Sequence, residues 1–566
     1  MRLCEKSEIE RSQETTLSAP YCRTNKYARR NLQIPPHQRL FRQPLSEGFN
    51  QNLMKRHLIT IFSFSIICFS AFSQKQKSQT ILKAENFRHY VDYFNRMEDE
   101  NIVAAIPNAK AWDWMKGNIP LFECPQDNIE EIYYFRWWSL RKHIEKTPVG
   151  YAFTEFLVPR TYADKYNLIS SALGHHIYEA RWLRDTSFLN QDIHVWFHGN
   201  DGKPMKKLRF YSGWNDNAIY NQYLVNGDKK YITEKLPDMI ADYKAWETDK
   251  RLPSGLFWQF DVRDGMEESI SGARKEKNAR PTINSYMFGN AKAISEVATL
   301  AGKPEIAQTY KLKADTMKQL IQEKLWNVKD TFFETLKSNN ISANVREAIG
   351  FIPWYFNMPD TSYNDAWKQV IDPKGFLAPF GLTTAERRSP EFRTHGCCKC
   401  EWDGAIWPFA TSQTMTALAN FMNNYKQHIV SDSAYFRLLE LYVESQYYRG
   451  RPYVGEYLDE KTGYWLKGDE ERSRYYNHST FCDLIITGLV GLRPRSDNII
   501  EVNPLVPESK WDWFCLDNVL YHGKTITIFW DKTGKKYNHG KGFHVLVNNR
   551  EVASSDQLKR VTARLE

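Results

Sequence analysis

Cysteine is scarce in this chain: there are 9 in 566 residues, and three of them precede residue 74. His395-Gly396-Cys397-Cys398-Lys399-Cys400 looks like half of a zinc site, but no second Cys or His cluster at ligand spacing completes it. The segment therefore reads as a structural loop, with no metal or cofactor expected. The neighbouring pair His175-His176 does not make a ligand pair either, because adjacent helical residues diverge by about 100°. A long apolar run is also missing. Leu58 to Phe69 is mostly apolar but too short for a comfortable membrane span. No repeat of 20–50 residues is visible, which a closed ring of helices does not require. Excess positive charge is missing too, once its location is considered. Eleven of the 76 Lys and Arg, but only five of the 67 Asp and Glu, lie in residues 1–73, so the formal +9 falls to +3 beyond them. That balance excludes an electrostatic footprint for nucleic acid.

The N-terminal composition points to processing. Met54-Lys55-Arg56-His57 opens a basic stretch ahead of the apolar run, and Ala71-Phe72-Ser73 supplies small residues at the two positions that a signal peptidase reads. We expect a leader over 1–53 that is non-native or disordered, a secretory signal over 54–73, and a periplasmic or secreted product with no membrane span after signal removal. About 490 residues remain, enough for a large core. Aromatic residues make up 14% of the chain, with 18 Trp. Trp and Tyr faces stack on sugar rings while their polar edges hydrogen-bond, so this content leans towards carbohydrate.

From about residue 166 to 492 the pattern is helical. Ala291, Ile294, Ala298 and Ala301 recur at helical spacing before Gly302, and Pro304 opens another helix with a face of Ile306, Tyr310, Met317 and Ile321. Met415, Leu418 and Met422 predict a third helix, and Tyr435, Leu438 and Tyr442 a fourth. Paired helices over such a span suit a mainly α, (α/α)6 toroid over 126–495, with its chemistry on loops at one end of the inner helices. An N-terminal segment over 74–125 is expected to pack on the barrel. After Pro494, β-branched stretches at 519–521, 525–529 and 543–547 predict a small C-terminal β domain over 496–566.

Two acidic turns, far apart in the chain, carry the chemistry. One is Asp264-Gly265-Met266-Glu267-Glu268-Ser269, and the other runs from Gly455-Glu456-Tyr457 through Asp459 to Thr462-Gly463. Two carboxyls brought together from distant segments are the minimum apparatus for cleaving a glycosidic bond, one protonated for the leaving group and one ionised to activate water. The first turn, with Trp258 ahead of it, resembles the acid-bearing loop of the clan that includes trehalases and glycoside hydrolase family 63, the mannosylglycerate-hydrolase-like enzymes among them. Aligned on Gly265 and Met266, the general acid falls on Glu267, with Glu268 and Asp264 as alternatives. Glu stands where the family has Asp, and Asp264 where it has Ser. The second turn is similar to the family's Glu-Asn-Tyr-…-Thr-Gly element, which places the general base on Glu456. Trp402-Asp403-Gly404-Ala405-Ile406-Trp407 resembles the family's sugar-lining Trp-Arg-Gly-Pro-Ile-Trp, with Asp403 in place of Arg.

Three further clusters are candidate sugar contacts: Arg181, Trp182 and Asp185; Trp214 and Asp216; and Arg280 with Asn284. Helix caps and inter-helix ion pairs are the competing reading of each. The resemblance implies an inverting, exo-acting hydrolase of an α-linked oligosaccharide or glycan, α-glucosidase or trehalase-like. A glycoside phosphorylase, which would lack the base, and a glycan-binding protein with a degenerate acid loop are the alternatives. The processing signal generates the first testable outcome. Expression from Met54 in an exporting host yields a product beginning at about Gln74, and intact-mass measurement showing residues 1–53 still attached rejects the signal.

Overall fold

The computed structural model describes residues 81–395 and 400–565. The expected leader and signal, along with Cys397 and Cys398, lie outside the described residues. The described chain opens with helices α1 (Arg88–Arg96) and α2 (Ala111–Asn118), which pack on α3 (Asp127–Lys142). Phe94 of α1 meets Phe135 and Trp138 of α3 there. From α3 onward, outer and inner helices alternate. Outer α3 leads to inner α4 (Leu173–Ala180), and outer α5 (Ser187–His198) to inner α6 (Asn215–Asn226). Outer α7 (Lys229–Lys250) leads, through the single turn α8 (Asp261–Asp264), to inner α9 (Pro281–Leu300). Outer α10 (Pro304–Lys324) leads to inner α11 (Ile352–Tyr355), which prolongs the 3-10 turn Ala348–Phe351. The 3-10 helix Thr361–Val370 precedes inner α12 (Pro408–Asn424), and α13 (Asp432–Ser445) precedes the π-helical turn Leu484–Leu489. This is the expected (α/α)6 toroid, although the expected helices are replaced by a 3-10 segment and a π turn at two of its places.

Helix starts follow local chemistry. Pro281, Pro304 and Pro408 each occupy the first helical position, where a missing N–H costs nothing. Inner α4 and α12 are buried almost all round, so they show no single apolar stripe, and the polar residues of α4, such as His176 and Glu179, are hydrogen-bonded within the fold.

The C-terminal sheet recruits the N-terminal segment. Strand β1 (Leu121–Glu123) pairs antiparallel with β3 (Trp513–Tyr521), placing Cys515 opposite Glu123. The sheet continues through β4 (Lys524–Asp531), β5 (Gly542–Val547) and β6 (Arg550–Ser555), while β2 (Ile499–Val502) pairs separately with β7 (Val561–Arg564). Residues 74–125 are therefore more than a segment packed on the barrel: Leu121 and Phe122 bury their side chains while their backbone extends the sheet.

The ring is closed by side chains. The Glu179 carboxylate at the end of α4 accepts from the backbone N–H of Phe481 (3.1 Å), Cys482 (2.9 Å) and Asp483 (2.9 Å), which lead into the last inner turn. Two residues on, Arg181 donates through Nε and Nη2 to Asp483 Oδ1 at 3.0 and 2.8 Å. Arg136 of α3 adds bonds to the Ser479 carbonyl and hydroxyl, both at 2.9 Å. All these groups are buried, so losing one partner strands the others without water. Glu179→Ala is expected to lower unfolding stability by on the order of 3–5 kcal/mol, read by chemical denaturation, with Glu179→Gln costing less. A midpoint for Glu179→Ala equal to wild type rejects this closure as structurally important.

Candidate active site

The first acidic turn is built to separate its three carboxyls. The turn α8 ends at Gly265, whose φ of +71° is left-handed and suits only a residue without Cβ strain. Asp264 points back into the protein, ion-paired at 2.6 Å with Arg280 and hydrogen-bonded by the Thr282 hydroxyl. Met266 is buried beside it. Glu268, at φ +65°, turns outward and pairs with Arg274 at 2.5 Å. Only Glu267 faces the cleft. Burial pushes its carboxyl up to about 7, and the charges of Glu456 and Asp261 add to that. The rise comes from burial and those two charges, and neither Glu268 nor Asp264 lines the cavity.

The second turn is held by stacking and by its own polar side chains. Trp402 stacks on Trp407 (4.4 Å between centroids), which stacks on Tyr457 (4.6 Å). Asp459 Oδ1 accepts from the N–H of Lys461 and Thr462 and from the Thr462 hydroxyl, closing the loop. Gly455 has no room for a side chain, since a Cβ there would meet Trp465 and Tyr453 at 2.8 Å. Glu456 is thereby pressed into the cleft wall, its N–H bound to Ser473 Oγ at 3.1 Å and its carboxylate 2.9 Å from Arg472. Burial raises its pKa above the usual carboxylate range and Arg472 opposes that rise. Its counter-ion is therefore Arg472.

Glu267 and Glu456 line one cavity of about 480 Å³. Trp402 and Trp407 form part of its wall, as their resemblance implies. Residues that the sequence reading passed over complete it: Glu155, Arg160, Tyr211, Arg263, Tyr476 and His478. Glu155 had a visible signal, being the only acid in the apolar stretch 151–158. Its carboxyl is pushed up to about 8 by burial, with Glu456 and Glu267 adding to the rise.

Several expected sugar contacts lie elsewhere. Arg181 and Trp182 bind Asp483, the indole N–H at 2.7 Å, and serve ring closure. Asp185 is exposed and bonds the Ser187 N–H at the start of α5. Trp214 is wholly buried beneath His175 and Phe409. Asp216 is buried near Asp242 and Arg209, its carboxyl raised by burial and by Asp242. Trp258 packs on Phe260 with Lys250 over its ring. Arg280 is consumed by Asp264, and Asn284 clamps Phe257 through the latter's N–H and C=O. Asp403 accepts from the His395 N–H at 2.6 Å. Most of these residues satisfy backbone groups or charges within the fold, whereas Trp214 packs among aromatic rings and Asp216 is buried away from the cleft. Among the described residues, no group of three or more His, Cys, Asp or Glu could hold a metal ion.

With this geometry the sequence comparisons can be placed. The profile of the mannosylglycerate hydrolase MGH1-like glycoside hydrolase domain matches residues 165–479. The chain belongs to that family. A second profile, the C-terminal domain of glycosyl hydrolase family 65, matches residues 492–554, the β domain. A solved structure named sialidase is 64% identical with a TM-score of 0.84, covering 85% of this chain and 45% of its own. A family 78 rhamnosidase of Bacillus sp. GL1 shares the fold at 10% identity, TM-score 0.52, over 73% of this chain and 40% of that one. An uncharacterized protein of Borreliella burgdorferi is 28% identical over 142 residues, 25% of this chain and 29% of that protein. The chain thus spans less than half the length of each of these relatives.

The separation of the three carboxyls is testable with leaving groups of different acidity. Glu267→Gln is expected to lower turnover of an unactivated glycoside by about 10²–10⁴, yet to retain far more on a dinitrophenyl glycoside, which needs little protonation. Glu268→Gln removes an outward ion pair and changes little. Leaving-group dependence in the Glu268 variant alone would move the acid to Glu268.

Proposed function

We propose that the protein is an inverting, exo-acting O-glycosyl hydrolase that releases a single sugar from an α-linked saccharide, with Glu267 as general acid and Glu456 as general base. The observation that carries this reading is the unequal environment of two carboxyls on one cavity. Both are desolvated, but only Glu456 has a guanidinium, Arg472, at 2.9 Å to hold the ionised form. Glu267, pushed up to about 7, keeps its proton near neutrality. Divergent protonation of paired carboxyls is the assignment rule for acid and base. A volume of about 480 Å³ suits a small saccharide. The presence of a base candidate favours hydrolysis over phosphorolysis, and the intact pair speaks against a binding protein that has lost its chemistry.

The family description names mannosylglycerate, a sugar joined to a carboxylate-bearing aglycone. Arg160 and Arg263 favour such an acidic partner. Both line the cavity, each lies over an aromatic face (Phe156 and Phe210), and neither has a carboxylate ion partner among the described residues. A secreted or periplasmic location belongs to the same proposal and rests on segment 54–73.

The pH sign follows from the roles. Turnover falls as pH rises past about 7, because Glu267 loses the proton it must donate, and falls at low pH as Glu456 takes one up. Glu456→Gln is expected to lower hydrolysis by about 10²–10⁴ while leaving thermal stability near wild type. Proton NMR of the first-formed sugar from an α-glycoside should show the β anomer. An α product, or full activity in Glu456→Gln, defeats the inverting assignment.

A further inference from the structure

Glu155 is a third carboxyl on the cavity, and the acid–base pair leaves it without a role. It follows the short strand Tyr151–Phe153 and is 4% exposed, the exposed part facing the same space as Glu267 and Glu456. Its surroundings differ from theirs in one respect. Glu456 has Arg472, and Glu267 feels Arg274, but no Lys or Arg forms an ion pair with Glu155 among the described residues. The Ser171 hydroxyl donates to its Oε2 at 3.2 Å, the Tyr476 hydroxyl is bonded to it, and His478 Nδ1 stands 3.9 Å from Oε1. His478 is no counter-ion. Burial drives it well below the usual imidazole range, with His175, Arg136 and His176 adding to that, so it stays neutral.

Arg160, Arg263 and Arg472 line the same cavity, but none forms an ion pair with Glu155 among the described residues; the other titratable groups that face it carry no positive charge. Glu267 faces it from the first acidic turn, Glu456 from the second, and the phenols of Tyr162 and Tyr211 from the cavity wall. A desolvated carboxyl with two others nearby and no paired cation keeps its proton. Burial and those neighbours hold Glu155 at about 8. A neutral carboxyl has one O–H to donate. No side-chain bond from Glu155 to a backbone carbonyl is found among the described residues, so that O–H is available to the cavity.

We propose that Glu155 is a substrate-positioning residue whose neutral carboxyl donates a hydrogen bond to a hydroxyl of the sugar in the cleft. This rests on the saccharide reading of that cavity and adds to it a group outside the acid–base pair. The neutral form also avoids a third negative charge, which would oppose ionisation of Glu456.

The test is a saturation-transfer NMR titration of D-mannose and D-glucose against wild type, Glu155→Gln and Glu155→Ala at pH 6 and pH 9. Glutamine is the isostere of the neutral acid and keeps a donor. In wild type, binding should weaken about tenfold between the two pH values as the donor proton is lost from a group titrating near 8. Glu155→Gln should bind within a few-fold of wild type at pH 6 and lose that part of the pH dependence. Glu155→Ala should bind about tenfold more weakly at pH 6. A structural role alone would not remove a pH dependence in the isosteric variant. Binding equal in all three proteins overturns the proposal while sparing the saccharide reading. So does a Glu155→Gln variant that follows the wild-type pH profile or binds as weakly as Glu155→Ala. Failure of wild type to bind either sugar at pH 6 overturns the saccharide reading, and this proposal with it.

Discussion

The Glu179 carboxylate is the group on which the rest of the architecture depends. A toroid of helical hairpins has a seam where its first inner helix meets its last, and here the seam has little regular helix to work with. The last inner element is a six-residue π turn, whose preceding N–H groups cannot all be satisfied within it. Glu179 accepts three of them, and Arg181 fixes Asp483 beside them. The consequence is functional. Glu155 and Ser171 belong to the beginning of the ring and Tyr476 and His478 to its end, so they share a cavity only because the seam is closed.

This seam also explains where sequence reasoning succeeded and where it stopped. Helical periodicity is local, so Ala291, Ile294 and Ala298, or Met415 and Leu418, announce α9 and α12 without knowledge of partners. Glu267 and Glu456 were legible because each lies in a short turn with glycine and aromatic neighbours. The substrate list was less so. Arg181, Trp182, Arg280 and Asp403 are the polar and aromatic types that bind sugars, but the same types satisfy buried backbone groups and charges. Which use prevails depends on contacts hundreds of residues away, such as Arg181 with Asp483. Glu155 illustrates the converse: it stands out as the one acid of an apolar stretch, but nothing near it in sequence tells which groups surround it, because its neighbours in space come from positions 171, 456 and 476.

Charge is distributed in the cleft by geometry rather than by composition. Asp264 and Glu268 flank Glu267 in sequence, yet the left-handed backbone at Gly265 and Glu268 sends one carboxyl inward to Arg280 and the other outward to Arg274. What remains facing the cavity is a single acid with no direct ion pair. With those two carboxyls turned away, burial is the largest influence on the protonation of Glu267, and the charges of Glu456 and Asp261 add to it. Had Glu268 stayed alongside, the two would titrate as a coupled pair and neither would hold a defined proton.

The same logic distinguishes the two ends of the ring. The inner helices begin at the cleft, where Ser171 precedes α4 and Phe409 lies in the first turn of α12, and they end at the opposite mouth, lined by Arg181, Asn420 and Arg493. Helix N-termini favour negative charge and C-termini positive charge, by about 0.3–1 kcal/mol each when exposed. Both ends nevertheless carry both signs: Glu155, Glu267 and Glu456 share the first with Arg160, Arg263 and Arg472, and Arg181, Arg493 and Arg495 share the second with Asp483 and Glu501. Arg493 donates to the Thr487 carbonyl at 3.0 Å and to Asn420 Oδ1 at 2.6 Å, meeting the end of the π turn and the side of α12 together. Arg493 thus covers a carbonyl end at that mouth, whereas Arg181 is held by Asp483 and Arg495 by Asp497 and Glu501. Helix direction therefore favours a carboxylate at the cleft end in general, while the side chain beside each carboxyl, Arg472 for Glu456, is what distinguishes one from another.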